Sequence, residues 1–209
     1  MILSLTLVLC LMMPASKDAY AAKNLIKDLT VNKTYSSYDL TGDGQKDKLK
    51  IEVKEAFYAD WGEDSVKSVK IKINGKTAYS QVYSQSNWED PVFSASASLL
   101  RLKNGKYYLL LNTYSMNDYR PVNILLEITS SGSVKTVIDR DTLWKQKYVD
   151  NSFFEIDSVS DNTITIETSA MNHRVGCISM KLNYIYKDGI LKKESTYTKD
   201  YSFGMFDNA

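Results

Sequence analysis

Period-two alternation is the dominant pattern of this chain. Positions 48–54 read Lys, Leu, Lys, Ile, Glu, Val, Lys, so Leu49, Ile51 and Val53 share one side of an extended chain and charges share the other. Successive strand side chains point to opposite faces, so the pattern predicts a strand with one buried and one wet face, as in antiparallel sheets. Positions 66–73 repeat it, with Val69, Ile71 and Ile73 inward and Lys70 and Lys72 outward. Asn74-Gly75 follows, a pair that tolerates the positive φ angles of a two-residue hairpin. The return strand is expected at 76–83. Further strands are expected at 94–102, 107–111, 122–128, 134–138, 153–159, 163–168, 177–186 and 190–201, with Asn104-Gly105, 130–133, 160–162 and Asp188-Gly189 as turns.

Several stretches depart from simple alternation. Positions 107–111 are continuously apolar, which predicts a central strand covered on both faces. Positions 177–186 place Ile178, Met180, Leu182, Tyr184 and Tyr186 on one face. One helical turn is expected at 24–29 and a short helix at 140–147, with Leu143 and Trp144 capping the core. Positions 55–64, 84–93 and 113–121 read as irregular. Strand, irregular crossing, strand, tight turn and strand recur from Leu49, Tyr107 and Thr163, a period of about 55 residues. Two of the copies share a phrase, Thr113-Tyr114-Ser115-Met116-Asn117 and Thr168-Ser169-Ala170-Met171-Asn172. The expected fold is all-β, an antiparallel hairpin-rich meander with blade-like units, β-propeller-like, over a single domain at 22–209. A β-sandwich is the alternative, because hairpin-rich strands at this spacing allow both.

Composition narrows the function classes. The 209 residues suffice for one domain with a real core. A net charge of +1 gives no electrostatic case for nucleic acid or an anionic membrane. Positions 2–13 are almost wholly apolar, break at Pro14 and reach Ala19-Tyr20-Ala21, a small-x-small cleavage signal. Positions 1–21 therefore read as a secretory signal peptide, although no Lys or Arg precedes the apolar run. The run is too short for a stable bilayer span, so a secreted, extracellular chain without a transmembrane segment is expected. Leu9 before Cys10 argues against a lipid anchor. Cys177 is then the one cysteine of the mature chain, which leaves no internal disulfide; it reads as a small core residue.

One segment specifies chemistry: Asp39-Leu40-Thr41-Gly42-Asp43-Gly44-Gln45-Lys46-Asp47. Calcium takes oxygen ligands in flexible geometry, and a compact loop supplies them from alternate positions. Asp39, Thr41 and Asp43 hold the first, third and fifth places. Gln45 offers a backbone carbonyl at the seventh, and Asp47 stands at the ninth, to bind directly or through water. Gly44 permits the sharp turn at the sixth. An EF-hand needs a bidentate Glu at the twelfth place and a helix after it; this chain has Lys50 and a strand. A solvated Asp/Gly turn is the competing reading.

An aspartate-glycine loop running straight into a strand resembles the calcium-binding hairpin loops of FG-GAP repeats in integrin-type β-propellers, and similar loops in secreted bacterial proteins. The resemblance covers these nine residues and no second copy is present. It implies a structural Ca²⁺ held by Asp39, Thr41, Asp43, Gln45 and Asp47. The quasi-repeat and the Lys-, Tyr- and Asn-rich composition are similar to secreted repeat proteins of low-GC Gram-positive bacteria.

Other candidates are thinner. Asp60, Glu63, Asp64, Glu89 and Asp90 are loop acids, but a glycosidase needs two carboxyls across a cleft, and acidic loops alone do not establish that. Trp61 and Trp88 stand among these acids as candidate ligand-binding aromatics for a glycan or a partner protein. Cys177 and the only histidine, His173, do not make a recognisable nucleophilic pair. The sequence therefore reads as a secreted, non-enzymatic calcium-binding β protein, a surface-associated binding or adhesion module for an extracellular protein or glycan. A secreted carbohydrate-active hydrolase or glycan-binding accessory domain is the alternative.

Overall fold

A computed structural model of the chain describes residues 24–58, 62–83, 91–115, 123–144, 154–172 and 176–200. The signal-peptide reading of 1–21 lies outside them. The described chain is all-β, with three open antiparallel sheets and one short helix.

The first sheet is the meander β2 (Thr34–Tyr38), β3 (Asp47–Tyr58), β4 (Glu63–Ile73), β5 (Lys76–Val82). The second runs β6 (Val92–Arg101), β7 (Tyr107–Ser115), β8 (Ile124–Ile128), β9 (Val134–Ile138), and β1 (Leu25–Leu29) adds to its β6 edge. The third is β10 (Phe154–Ser160), β11 (Thr163–Asn172), β12 (Gly176–Lys187), β13 (Ile190–Asp200). The expected repeat starts at 49, 107 and 163 fall on β3, β7 and β11, the second strand of each meander. The shared phrase puts Thr113 and Thr168 on matching strands, and both side chains are buried.

The second sheet is the middle layer. Leu99, Tyr107, Leu109, Leu111, Leu126 and Ile128 pack with Leu49, Ile51, Val69, Ile71 and Ile73 of the first sheet. Leu100, Tyr108, Leu110 and Leu125 alternate with them and pack with Ile164, Ile166, Met180, Leu182 and Tyr184 of the third. The continuous apolar run at 107–111 is thus accounted for: five successive side chains are buried because sheets cover both faces. The outer sheets keep one wet face each and read as alternating. The helix α1 (Arg140–Trp144) forms where expected. Asp139 caps it, Oδ1 accepting the Thr142 N–H at 2.7 Å, and Leu143 is fully buried in the second core.

Turn chemistry follows the residues. Asn74 and Gly75 both have positive φ (52° and 80°), as do Asp188 and Gly189 (54° and 84°), the geometry that matches strand twist. Adjacent turns lock the layers together at this end. The Lys103 N–H donates to the Asp161 carbonyl at 2.8 Å and the Asn104 N–H to Asn162 Oδ1 at 3.1 Å, joining the second and third sheets. A Cβ at Gly132 would lie 3.6 Å from Ile73 Cγ2 and 3.8 Å from Thr41 Cγ2, so that turn sits against the first sheet and the loop before β3.

Several expectations need correction. Residues 92–93 and 113–115, expected to be irregular, belong to β6 and β7, where Val92 pairs with Ser115 and Ala95 with Thr113, because pairing extends both strands beyond their apolar runs. Residues 24–29 form no helical turn; Leu25–Leu29 is a strand paired with Ala97 to Arg101, because pairing completes an otherwise open edge and buries Leu29. Residues 55–64 are not wholly irregular: β3 continues to Tyr58 and β4 begins at Glu63, paired Tyr58 with Glu63. A bulge between Lys54 and Glu55 shifts the register there, which breaks the alternation that marks the strand in sequence.

Two-sided burial has a direct test. Leu109→Ala and Leu110→Ala remove side chains from opposite faces of one strand, and each should lower unfolding free energy by about 2–5 kcal/mol in chemical denaturation. A loss below about 1 kcal/mol at either position would show that the sheet on that side is not packed against β7.

Candidate metal centre

The segment from Asp39 to Lys46 forms a bend series between β2 and β3, ending where Tyr38 pairs with Asp47. Gly42 and Gly44 adopt φ of 76° and 89°, which a side-chain-bearing residue resists. The loop organises itself around its own carboxylates. Asp39 Oδ1 accepts the Gly42 N–H at 2.8 Å and Oδ2 the Gly44 N–H at 2.9 Å. Asp43 Oδ1 accepts the Gln45 N–H at 2.7 Å. Each of these oxygens keeps lone-pair capacity beyond its one N–H. Gly42, Asp43, Gly44 and Gln45 are exposed, so the outer side of the loop faces solvent.

Asp47 behaves differently. Its side of the loop is turned into the protein, and the residue is 3 % exposed. Oδ2 accepts the Leu40 N–H at 2.7 Å, the Thr41 N–H at 2.9 Å and the Thr41 hydroxyl at 3.1 Å. Oδ1 accepts from Asn74 Nδ2 at 2.5 Å. Asn74 Oδ1 in turn accepts the Lys48 N–H at 2.8 Å. One carboxylate therefore ties the loop to the hairpin 27 positions later. Burial is the largest influence on Asp47 and pushes its carboxyl up; the bonds from Asn74, Thr41 and Leu40 together outweigh it and hold the group below its ordinary value.

The loop also rests on the middle sheet. Leu40 is buried among the first core. Tyr38 packs edge-on against Tyr107 with ring centroids 6.1 Å apart, and the Arg101 guanidinium lies 5.3 Å from the Tyr107 ring centroid. Burial raises the Tyr107 phenol; Arg101 opposes that, and the Asp39 carboxylate and Tyr38 add to it.

The structure thus brings Asp39, Thr41, Asp43, Gln45 and Asp47 into one loop, but in two roles. Asp39 and Asp43 organise the turn through backbone N–H groups, the Thr41 hydroxyl donates to Asp47, and the ninth-place Asp47 carries the anchor. Among the described residues no three His, Cys, Asp or Glu side chains are grouped as a ready metal cage. The donor set is all oxygen, which suits a hard cation. Asn74, recognisable in sequence only as a turn residue, is the member that local reasoning missed, because its partner is distant along the chain. Cys177 lies on β12 in register with Met171. Asp64 is exposed and pairs in register with Phe57. Glu63 pairs in register with Tyr58. Asp60, Trp61, Trp88, Glu89, Asp90 and His173 lie outside the described residues.

No family model, curated protein or solved structure matches the chain.

The anchor makes a pH prediction. A carboxyl held below its unfolded value of about 3.9 contributes stability that is complete above that pH and is lost as pH falls through the folded value. Asp47→Asn should cost about 1–3 kcal/mol at neutral pH, since an NH2 group replaces one of two acceptor oxygens, Oδ2 with three donors or Oδ1 with one. Its stability should also fall less steeply than wild type below about pH 4. Parallel acid titrations of unfolding check this; identical slopes would remove Asp47 from the account.

Proposed function

We propose that this chain is a secreted, non-enzymatic calcium-binding β protein, a surface-associated module that binds an extracellular protein or glycan. The observation that supports the reading most is the loop from Asp39 to Asp47. It is held in shape by backbone N–H bonds to Asp39 and Asp43 and pinned from beneath by Asp47. Ca²⁺ would be taken by Asp39, Thr41, Asp43 and the Gln45 carbonyl, with Asp47 completing the set through the loop it fixes. Bound there, the ion would supply charge neutralisation and a cross-link between β2 and β3, and no reaction step.

The three four-stranded meanders support a blade-like organisation, each sheet stacked face to face on the next. We read the units as propeller-like blades in an open stack. In a mature chain with a single cysteine, an ion that binds only the folded state takes the stabilising place that disulfides hold in other secreted domains.

Calcium at about one hundred times its Kd should raise the thermal midpoint by about 5–10 °C over a chelator-treated sample. Asp43→Ala should abolish that increment while leaving the chelated midpoint close to wild type, because Asp43 is exposed. A wild-type midpoint indifferent to calcium contradicts the proposal.

A further inference from the structure

The chain's net charge of +1 conceals an uneven layout. On the first sheet, Leu49, Ile51, Val53, Val69, Ile71 and Ile73 are buried. The residues alternating with them, Lys48, Lys50, Glu52, Lys54, Lys70 and Lys72, therefore occupy the solvent face. Register sets them side by side: Lys50 opposite Lys72, Glu52 opposite Lys70, Lys54 opposite Ser68. The flanking strands add Thr34 opposite Lys50, and Thr77 and Ser80 opposite Lys72 and Lys70. Among the described side chains of positions 48–54 and 68–73, five lysines thus share this face with one carboxylate, four positive charges in excess. Neighbours are spaced by about 6.7 Å along a strand and about 4.8 Å across it.

Glu52 sits inside this array. Lys50 and Lys72 reach it at 3.0 and 2.8 Å and hold its carboxyl down at about 2. Lys48, Lys54 and Lys70 have no ion-pair partner among the described residues. The solvent face of the third sheet is different. There Glu155, Glu167 and Lys181 stand in one cross-strand row, and Lys181 pairs with Asp157 at 2.9 Å. Both signs are mixed on that face. On the first sheet Glu52 bridges the one directly opposed like pair, Lys50 and Lys72, and Lys48, Lys54 and Lys70 leave an excess of positive charge on the face that an anion from outside can neutralise.

We infer that the solvent face of the first sheet docks a flexible, linear, base-free phosphate polymer. Charge complementarity sets the sign of the partner. Lysine is a compact point charge that meets phosphate oxygens without a fixed fork, which suits a chain of variable geometry. Among the described side chains of this array there is neither an arginine nor an aromatic ring, and so no platform among them for stacking bases or sugar rings. The lysines are spread along β3 and across to β4, which matches an extended polymer rather than a compact anion.

Fluorescence anisotropy with end-labelled inorganic polyphosphate tests the inference. Wild type should bind, and affinity should fall about fifty-fold between about 50 and 200 mM salt if four phosphates are engaged. Lys48→Gln, Lys54→Gln and Lys70→Gln combined should weaken binding at least about tenfold with an unchanged melting midpoint. These side chains make no ion pair with Glu52, so the Lys50–Glu52–Lys72 group is kept. A matched variant, Lys27→Gln, Lys135→Gln and Lys187→Gln, removes the same charge from exposed positions elsewhere and should bind like wild type. Acylation footprinting of the wild-type chain gives a readout independent of substitution: bound polyphosphate should protect Lys48, Lys54 and Lys70. No binding, equal loss in both triple variants, unprotected lysines, or tighter binding to an oligothymidylate of equal charge would each overturn the inference.

Discussion

At its centre, from Tyr107 to Leu111 and along β8, the middle sheet has no wet face, and the rest of the architecture depends on that. In a one-faced strand, slipping by one residue sends every apolar side chain into water, so burial itself enforces the register. From Tyr107 to Leu111 a slip would exchange one set of apolar residues for another. Register here must come from the ends of the strands. The turn at Lys103 and Asn104 is tied to Asp161 and Asn162, and the turn at Gly132 is seated against Ile73 and Thr41. Polar residues inside the sheet add markers. Asn123 is buried and donates to the Phe154 carbonyl at 2.8 Å, and Glu127 meets Lys106 at 3.7 Å. A misregistered β8 would bury these groups without their partners, which costs more than a shifted leucine.

The loop from Asp39 to Asp47 belongs to the same system of end constraints. It leaves the edge strand of the first sheet, buries Leu40 against the core and turns Asp47 inward to the Asn74 hairpin. Its inner side is structural by virtue of that buried carboxylate. Its outer side presents oxygens to solvent. The two sides explain how one short acidic segment can hold a strand in place through Asp47 while Asp43 stays exposed, as the proposed cation site requires.

Much of the fold was legible in the residues. Alternation marked the outer sheets, and the unbroken apolar run marked the double-sided strand. Paired turn residues marked the hairpins at Asn74 and Asp188. Leu25–Leu29 was illegible because its five residues, Leu-Ile-Lys-Asp-Leu, do not alternate; it is a strand only because β6 offers an edge. The outer ends of β3 and β4 were hidden by a bulge. At the candidate site the loop was visible from spacing alone, whereas the role of Asp47 was not. That role depends on burial and on Asn74, and neither is a local property. The lysine face was likewise invisible, since scattered lysines become neighbours only through strand register.

Protection of backbone amides from hydrogen exchange tests the central claim, that a doubly covered middle sheet is the stability core. Amides of Leu109, Leu110 and Leu111 on β7 and of Leu125 and Leu126 on β8 should exchange slowest, at the rate set by global unfolding. Edge amides of β2, β9 and β13 should exchange sooner through local opening. Exchange in the middle of β7 as fast as at those edges would contradict the account.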